Sequence, residues 1–209
     1  NIPYCAWNET KRQMENRVCT RYTVVTNETA VFEDGQWYVV TGAVSRGTIT
    51  VNGSAHLILC GDATLTAAGG VNQAGVAVTN GNSLAIYGQP HGTGELVAWG
   101  GESCAGIGGG KGAAGGAVTI HGGKVTATGI GGGNAGKGGS VTVYGGTVTA
   151  DGYILPQGYT AVEYIESTAG GGQYIDTEYV ADANTRFVAD FNPLEKTANW
   201  EAFFGAVGC

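Results

Sequence analysis

Tyr87, His121 and Tyr144 each stand one residue beyond a short apolar segment and one before a glycine, in the settings Ile86-Tyr-Gly, Ile120-His-Gly and Val143-Tyr-Gly, with Cys60 at the matching place after Leu59. Rings held in register on successive strands stack near the strand spacing, and sugars pack their C–H faces on such aromatic surfaces. Trp99 would extend that platform at the adjacent corner. Tyr87, Trp99, His121 and Tyr144 are therefore the candidate carbohydrate-binding residues. The competing reading is that stacked aromatics cover a corner and hold neighbouring strands together.

Other chemistry is sparse. Cutting an acidic polysaccharide takes a carboxylate cluster for Ca²⁺ with a basic residue, or paired carboxylates. Between residues 47 and 150 the carboxylates are Asp62, Glu95 and Glu102, at positions that do not match one another. His56, His91 and His121 lack a partnered Ser or Cys, so no nucleophile constellation forms and the chain reads as non-catalytic, with Ca²⁺ the one ion worth testing. Gly131 to Lys137 fits seven positions of a phosphate loop, but Gly138 stands where a Ser or Thr must ligate Mg²⁺. Gly110-Lys-Gly-Ala-Ala-Gly fits a dinucleotide fingerprint by spacing alone. Outward threonines at 66, 126 and 149 resemble an ice-ordering array, but β-branched threonine is the ordinary resident of an exposed strand.

Composition narrows the classes further. The chain has 209 residues, a net charge of -7 and 39 glycines, while hydrophobic residues at 43 % suffice for a core. Without a block of Lys or Arg, nucleic acid is an unsuitable partner. No apolar run is long enough to span a membrane. The cysteines, Cys5, Cys19, Cys60, Cys104 and Cys209, contain no CxxC pair. Cys5 and Cys19 are the disulfide candidate if the protein is secreted; free thiols are the alternative. Asn8, Asn27 and Asn52 open N-glycosylation patterns, short matches that are frequent by chance.

The positioning elements come from a repeat. Residues 106–128 laid over 129–151 give 14 identities in 23 positions. A period of this size marks units that bury their apolar face only by stacking. Each unit holds two alternating segments, Val118-Thr-Ile and Val125-Thr-Ala, then Val141-Thr-Val and Val148-Thr-Ala, with Gly-Gly between them. Leu84-Ala-Ile with Leu96-Val-Ala, and Leu57-Ile-Leu with Leu65-Thr-Ala, continue the pattern backwards. A third apolar touch recurs at Val76, Ile107 and Ile130, each after a glycine. Three touches per turn with glycine corners predict an all-β fold: a short right-handed parallel β-helix of about four 23-residue rungs. Its interior columns are expected to stack Leu57 with Leu84, and Leu59 with Ile86.

Residues 1–45 read as an N-terminal cap and first rung, with a polar turn or short helix over Thr10 to Val18; the β-helix then spans 46–152. Beyond it, 153–160 reads as a linker, and 161–209 alternates like antiparallel strands of an incomplete β-sandwich.

The stretch from Trp37-Tyr-Val-Val-Thr through His56-Leu-Ile-Leu-Cys to the Gly-Ile-Gly-Gly-Gly repeats resembles secreted bacterial Gly-rich β-helix proteins, some of which bind polysaccharides. Leu155-Pro-Gln-Gly-Tyr-Thr with Gln173-Tyr-Ile-Asp-Thr looks like the opening of a concanavalin-like jelly-roll domain. The resemblance implies an extracellular or cell-surface protein that binds a glycan or serves in adhesion. The alternative is a structural subunit that self-associates into filaments or a surface layer by strand pairing.

Overall fold

The computed structural model describes residues 1–151 and, further on, the strand residues 165–167, 174–176, 187–192 and 197–202. The described residues form an all-β fold without helices, and most strands lie in three parallel sheets. The stretch 153–160, expected as a linker, and most of 161–209, expected as a β-sandwich segment, lie outside the described residues.

The short sheet contains β4 (Val31–Phe32), β7 (Ile49–Val51), β10 (Val76–Ala77), β13 (Ile107–Gly108) and β16 (Ile130–Gly131). A second sheet, here the covered sheet, contains β3 (Thr23–Val24), β5 (Trp37–Val40), β8 (Ser54–Leu59), β11 (Ser83–Gly88), β14 (Ala117–Ile120) and β17 (Ser140–Val143). The third, the open sheet, has β6 (Ala43–Arg46), β9 (Thr64–Ala68), β12 (Glu95–Trp99), β15 (Lys124–Ala127) and β18 (Thr147–Asp151). From β4 onward the chain visits short, covered and open sheets in that order, five times.

Glycine sets the turn from the open sheet into the short one. A Cβ on Gly75 would lie 2.6 Å from the Ala67 carbonyl oxygen, and one on Gly106 would lie 2.3 Å from that of Ala98. Only a bare Cα lets these backbones approach. Val76 and Ile107 then donate to the carbonyls of Gly106 and Gly129, so the corner closes on the next circuit.

Alternation carries one residue in two to the interior. In the open sheet Val44, Leu65, Leu96, Val125 and Val148 form one inward column, and Ala67, Ala98, Ala127 and Ala150 a second. Ile49, Val76, Ile107 and Ile130 form the column of the short sheet. Each fully buried Leu, Ile or Phe contributes roughly 1.5–3 kcal/mol, and Phe32, Ile49, Leu57, Leu65, Ile86, Leu96 and Ile120 are all of this kind.

The covered sheet departs from the expected register by two residues. Leu57 pairs with Ile86, and Ala55, not Leu57, lies beside Leu84. The corner before the strand sets this register: the Gly53 N–H donates to Asn82 Oδ1 (2.8 Å) and the hydroxyls of Ser54 and Ser83 meet at 2.7 Å. The inner column is thus Tyr38, Leu57, Ile86, Ile120 and Val143.

The N-terminal segment also differs from expectation. Residues 10–18 form no helix. Instead β1 (Ile2–Asn8) and β2 (Gln13–Cys19) make an antiparallel hairpin. Asn8 Oδ1 accepts from the N–H groups of Thr10 and Lys11, an Asx turn that suits this tight connection better than a helix start. Tyr4 and Trp7 are buried where the hairpin lies on the outer face of the covered sheet.

The first edge of the open sheet is blunted. Arg46 takes the inward position beside Ala67, and its Nη1 donates to the Asn27 carbonyl, while Asn27 Oδ1 accepts from the Ser45 N–H. A charge turned inward at an edge discourages another strand from adding there. At the other edge β22 (Thr197–Ala202) pairs antiparallel with β18 and with β21 (Phe187–Asn192). Also antiparallel are β19 (Ile165–Ser167) and β20 (Tyr174–Asp176).

Candidate functional site

The outer face of the covered sheet brings three of the four candidate residues together. Tyr87 within β11, and His121 and Tyr144 just beyond β14 and β17, stand in register, as the bonds from the His121 N–H to the Ile86 carbonyl and from the Tyr144 N–H to the Ile120 carbonyl require. The rings of Tyr87 and His121 stack at 4.7 Å and 1°, and those of His121 and Tyr144 at 5.2 Å and 22°. Ile58, not Cys60, stands next to Tyr87 in this row, a consequence of the two-residue register shift. Cys60 is a buried free thiol whose pKa burial pushes up.

This column is not an open platform. The hairpin lies over it, and Tyr87 keeps 7 % of its surface. Tyr4 packs against Trp37 at 5.0 Å and against Tyr87 at 5.1 Å. Trp7 stacks on Tyr144 at 5.2 Å and 6°. The Trp7 N–H donates to His121 Nδ1 at 3.0 Å, the Tyr144 hydroxyl to Glu9 Oε1, and Gln89 Nε2 to the Pro3 carbonyl at 3.2 Å. The ring faces expected to receive a ligand therefore receive the chain's own N-terminus.

Burial sets the electrostatics of this interface. Desolvation, with smaller contributions from Arg17 and His56, brings the His121 pKa down to about 4. His56 is also shifted down by burial; its ring stacks on Trp37 at 4.3 Å, and its Nδ1 lies 3.1 Å from the Tyr87 hydroxyl. Burial raises the phenol pKa of Tyr87 and that of Tyr4. On the hairpin's wet side, hydrogen bonds from Asn8 and Lys11 lower the Glu15 carboxyl to about 2.

Trp99 is separate from the column. It ends β12 on the outer face of the open sheet, paired with Ala68, and is 42 % exposed. The row beside it runs Thr66, Val97, Thr126 and Thr149, and the next runs Thr64, Glu95, Lys124 and Thr147. Glu95 bonds Lys124 at 3.0 Å and accepts from the Thr126 hydroxyl at 3.4 Å. The result is a flat, hydroxyl-rich face with one exposed indole at its margin.

The remaining candidates stay apart. Asp62 accepts from Thr93 Oγ1 and Glu95 pairs with Lys124, whereas Arg46 bonds the Asn27 carbonyl. Among the described residues no group of three His, Cys, Asp or Glu side chains could hold a metal ion. Nor does any described helix have the length and apolarity to cross a membrane. Cys5 and Cys19 do not meet: the hairpin register sets Cys5 opposite Asn16 and Cys19 opposite Ile2. That separation is about 10 Å along the ladder, beyond disulfide reach, and Cys19 keeps a thiol that donates to the Arg21 carbonyl at 3.2 Å.

Tyr4, Trp7 and Trp37 complete the aromatic interface and were not anticipated. A usable signal lay in Tyr38-Val-Val and Leu57-Ile-Leu, continuous apolar runs that mark strands buried on both faces. No family model, curated protein or solved structure matches the chain.

Proposed function

We propose that this chain is a non-catalytic extracellular module of a bacterial surface that binds glycans or mediates adhesion, and that the sugar contact falls on the open sheet beside Trp99. The observation carrying this reading is the exposed indole of Trp99 on a flat face of threonines with the Glu95–Lys124 pair. A pyranose packs its C–H face on an indole, while hydroxyl and carboxylate groups nearby satisfy its hydroxyls. The scaffold is a short right-handed parallel β-helix; the repeated visiting order of the three sheets and their in-register columns support it. The antiparallel pairings of β19 to β22 agree with a β-sandwich segment after it.

A glycan array run on the parent, Trp99→Ala and Tyr144→Phe tests the reading. Binding by the parent and by Tyr144→Phe, lost in a folded Trp99→Ala, is the expected result. Retention of binding in Trp99→Ala removes the open sheet as the site. Absence of binding by the parent shifts the role to a structural subunit. That second reading has its own support, since β16 and β17 are the terminal strands of their sheets among the described residues. Sizing the protein over a range of concentrations tests it, and a persistent monomer rejects it.

A further inference from the structure

Two histidines, His56 and His121, lie on the face that receives the hairpin, and the glycan reading uses neither. His121 is held between two phenol rings, 4.7 Å from that of Tyr87 and 5.2 Å from that of Tyr144. Its Nδ1 is the acceptor for the backbone N–H of Trp7, at 3.0 Å. An imidazolium carries a proton on both nitrogens and accepts nothing, so this bond exists only with the neutral ring. The same hairpin strand supplies the indole that stacks on Tyr144 and the phenol that packs on Tyr87. Loss of the Trp7 bond therefore acts at the centre of the hairpin's seat.

We infer that the hairpin Ile2–Cys19 is an acid-released clasp, seated on the covered sheet while His121 is neutral and freed from it when that ring takes a proton.

The charged and titratable groups around His121 do not oppose this. Arg17 of β2 disfavours the imidazolium, and His56 of β8 does the same. Tyr4 of β1 and the flanking Tyr87 and Tyr144 are neutral phenols at acidic pH. Glu9, which accepts from the Tyr144 hydroxyl, and Glu15, which is tied to Asn8, Lys11 and Arg17, are the carboxylates on the hairpin. Glu15 retains its charge down to about pH 2, below the range that matters here.

The direction follows from linkage. Seating lowers the imidazole pKa, so the seat is fully stable above the ordinary imidazole value and weakens as pH falls towards the seated value. With an ordinary value of 6.5 and a seated one of about 4, the balance between seated and free hairpin shifts by up to about 300-fold. His56 is shifted in the same direction by burial and adds to the effect.

The test is amide hydrogen exchange on the full chain from pH 7.5 to 4, corrected for the intrinsic pH dependence of exchange. Protection of residues 2–19 is expected to fall by about 150-fold over this range, most of it between pH 6.5 and 4, while β8, β11 and β12 keep theirs. His121→Gln keeps a neutral acceptor for Trp7 and cannot titrate, so it should remove most of the fall, and His56→Phe with His121→Gln should remove the rest. If the double variant does not fold, His121→Phe, which keeps the ring stack, takes its place. A flat profile in the parent overturns the inference, as does a fall undiminished in the double variant or its substitute, which would assign it to carboxylates. Equal, simultaneous loss in the hairpin and the three sheets also overturns it, since that is global unfolding.

Discussion

The covered and open sheets share one chain, one direction for their stacked strands and the same inward alternation, yet the outer row beneath the hairpin has no counterpart on the open sheet. The covered sheet turns Val39, Ile58, Tyr87 and His121 outward; Val39 and Ile58 have no exposed surface at all. At comparable places the open sheet has Ser45, Thr66, Val97 and Thr126. The interior rows make the stack, whereas the outer rows decide what lies on it. An outer row of large apolar side chains must find a cover, and here the N-terminal hairpin provides it.

Matched substitutions on the two faces would sharpen or break this contrast. Ile58→Ser empties a fully buried site and places a hydroxyl there, which should cost about 3–5 kcal/mol. Thr66→Ser on the open face should stay within about 0.5 kcal/mol. Denaturant unfolding measures both, and equal losses would refute the distinction. The two tryptophans give the next comparison. Trp7→Ala removes the ring stacked on Tyr144 and should cost about 2–4 kcal/mol, whereas Trp99→Ala should be near neutral in the same titration.

Single polar contacts should yield less. Tyr144→Phe deletes the bond to Glu9 and should cost about 1 kcal/mol, visible as faster amide exchange in the hairpin. Lys124→Met breaks the exposed ion pair with Glu95, and its effect on the denaturation midpoint should be within about 0.5 kcal/mol and fade with added salt.

Much of the stack was legible in the residues. The 23-residue unit predicts the pairing of Val118 with Val141 and Val125 with Val148, and both occur. The third touch at Val76, Ile107 and Ile130 is likewise one in-register column. Legibility ended where corners stop repeating. Four residues separate β8 from β9 but six separate β11 from β12, so counting back from the later units misplaced Leu57 against Leu84. The candidate site was legible only as a column. Spacing places Tyr87, His121 and Tyr144 in line, but whether a ring faces water depends on a segment more than sixty residues away, which no local pattern contains. Polar residues also disguised the hairpin: Gln13-Met-Glu-Asn-Arg-Val has the charge of a loop, and its strand form comes from pairing with the buried β1.

The hairpin has one more consequence, for cooperativity. A pile of like layers, each touching only its neighbours, unfolds by fraying from its ends, because losing one layer costs only one interface. Tyr4 grips Trp37 of β5, while Trp7 grips Tyr144 just beyond β17, so this short hairpin spans the pile from its first full circuit to its last. It acts as a splint. With it in place the end layers cannot leave one at a time without breaking contacts that the middle also needs, and the pile should melt as a single unit.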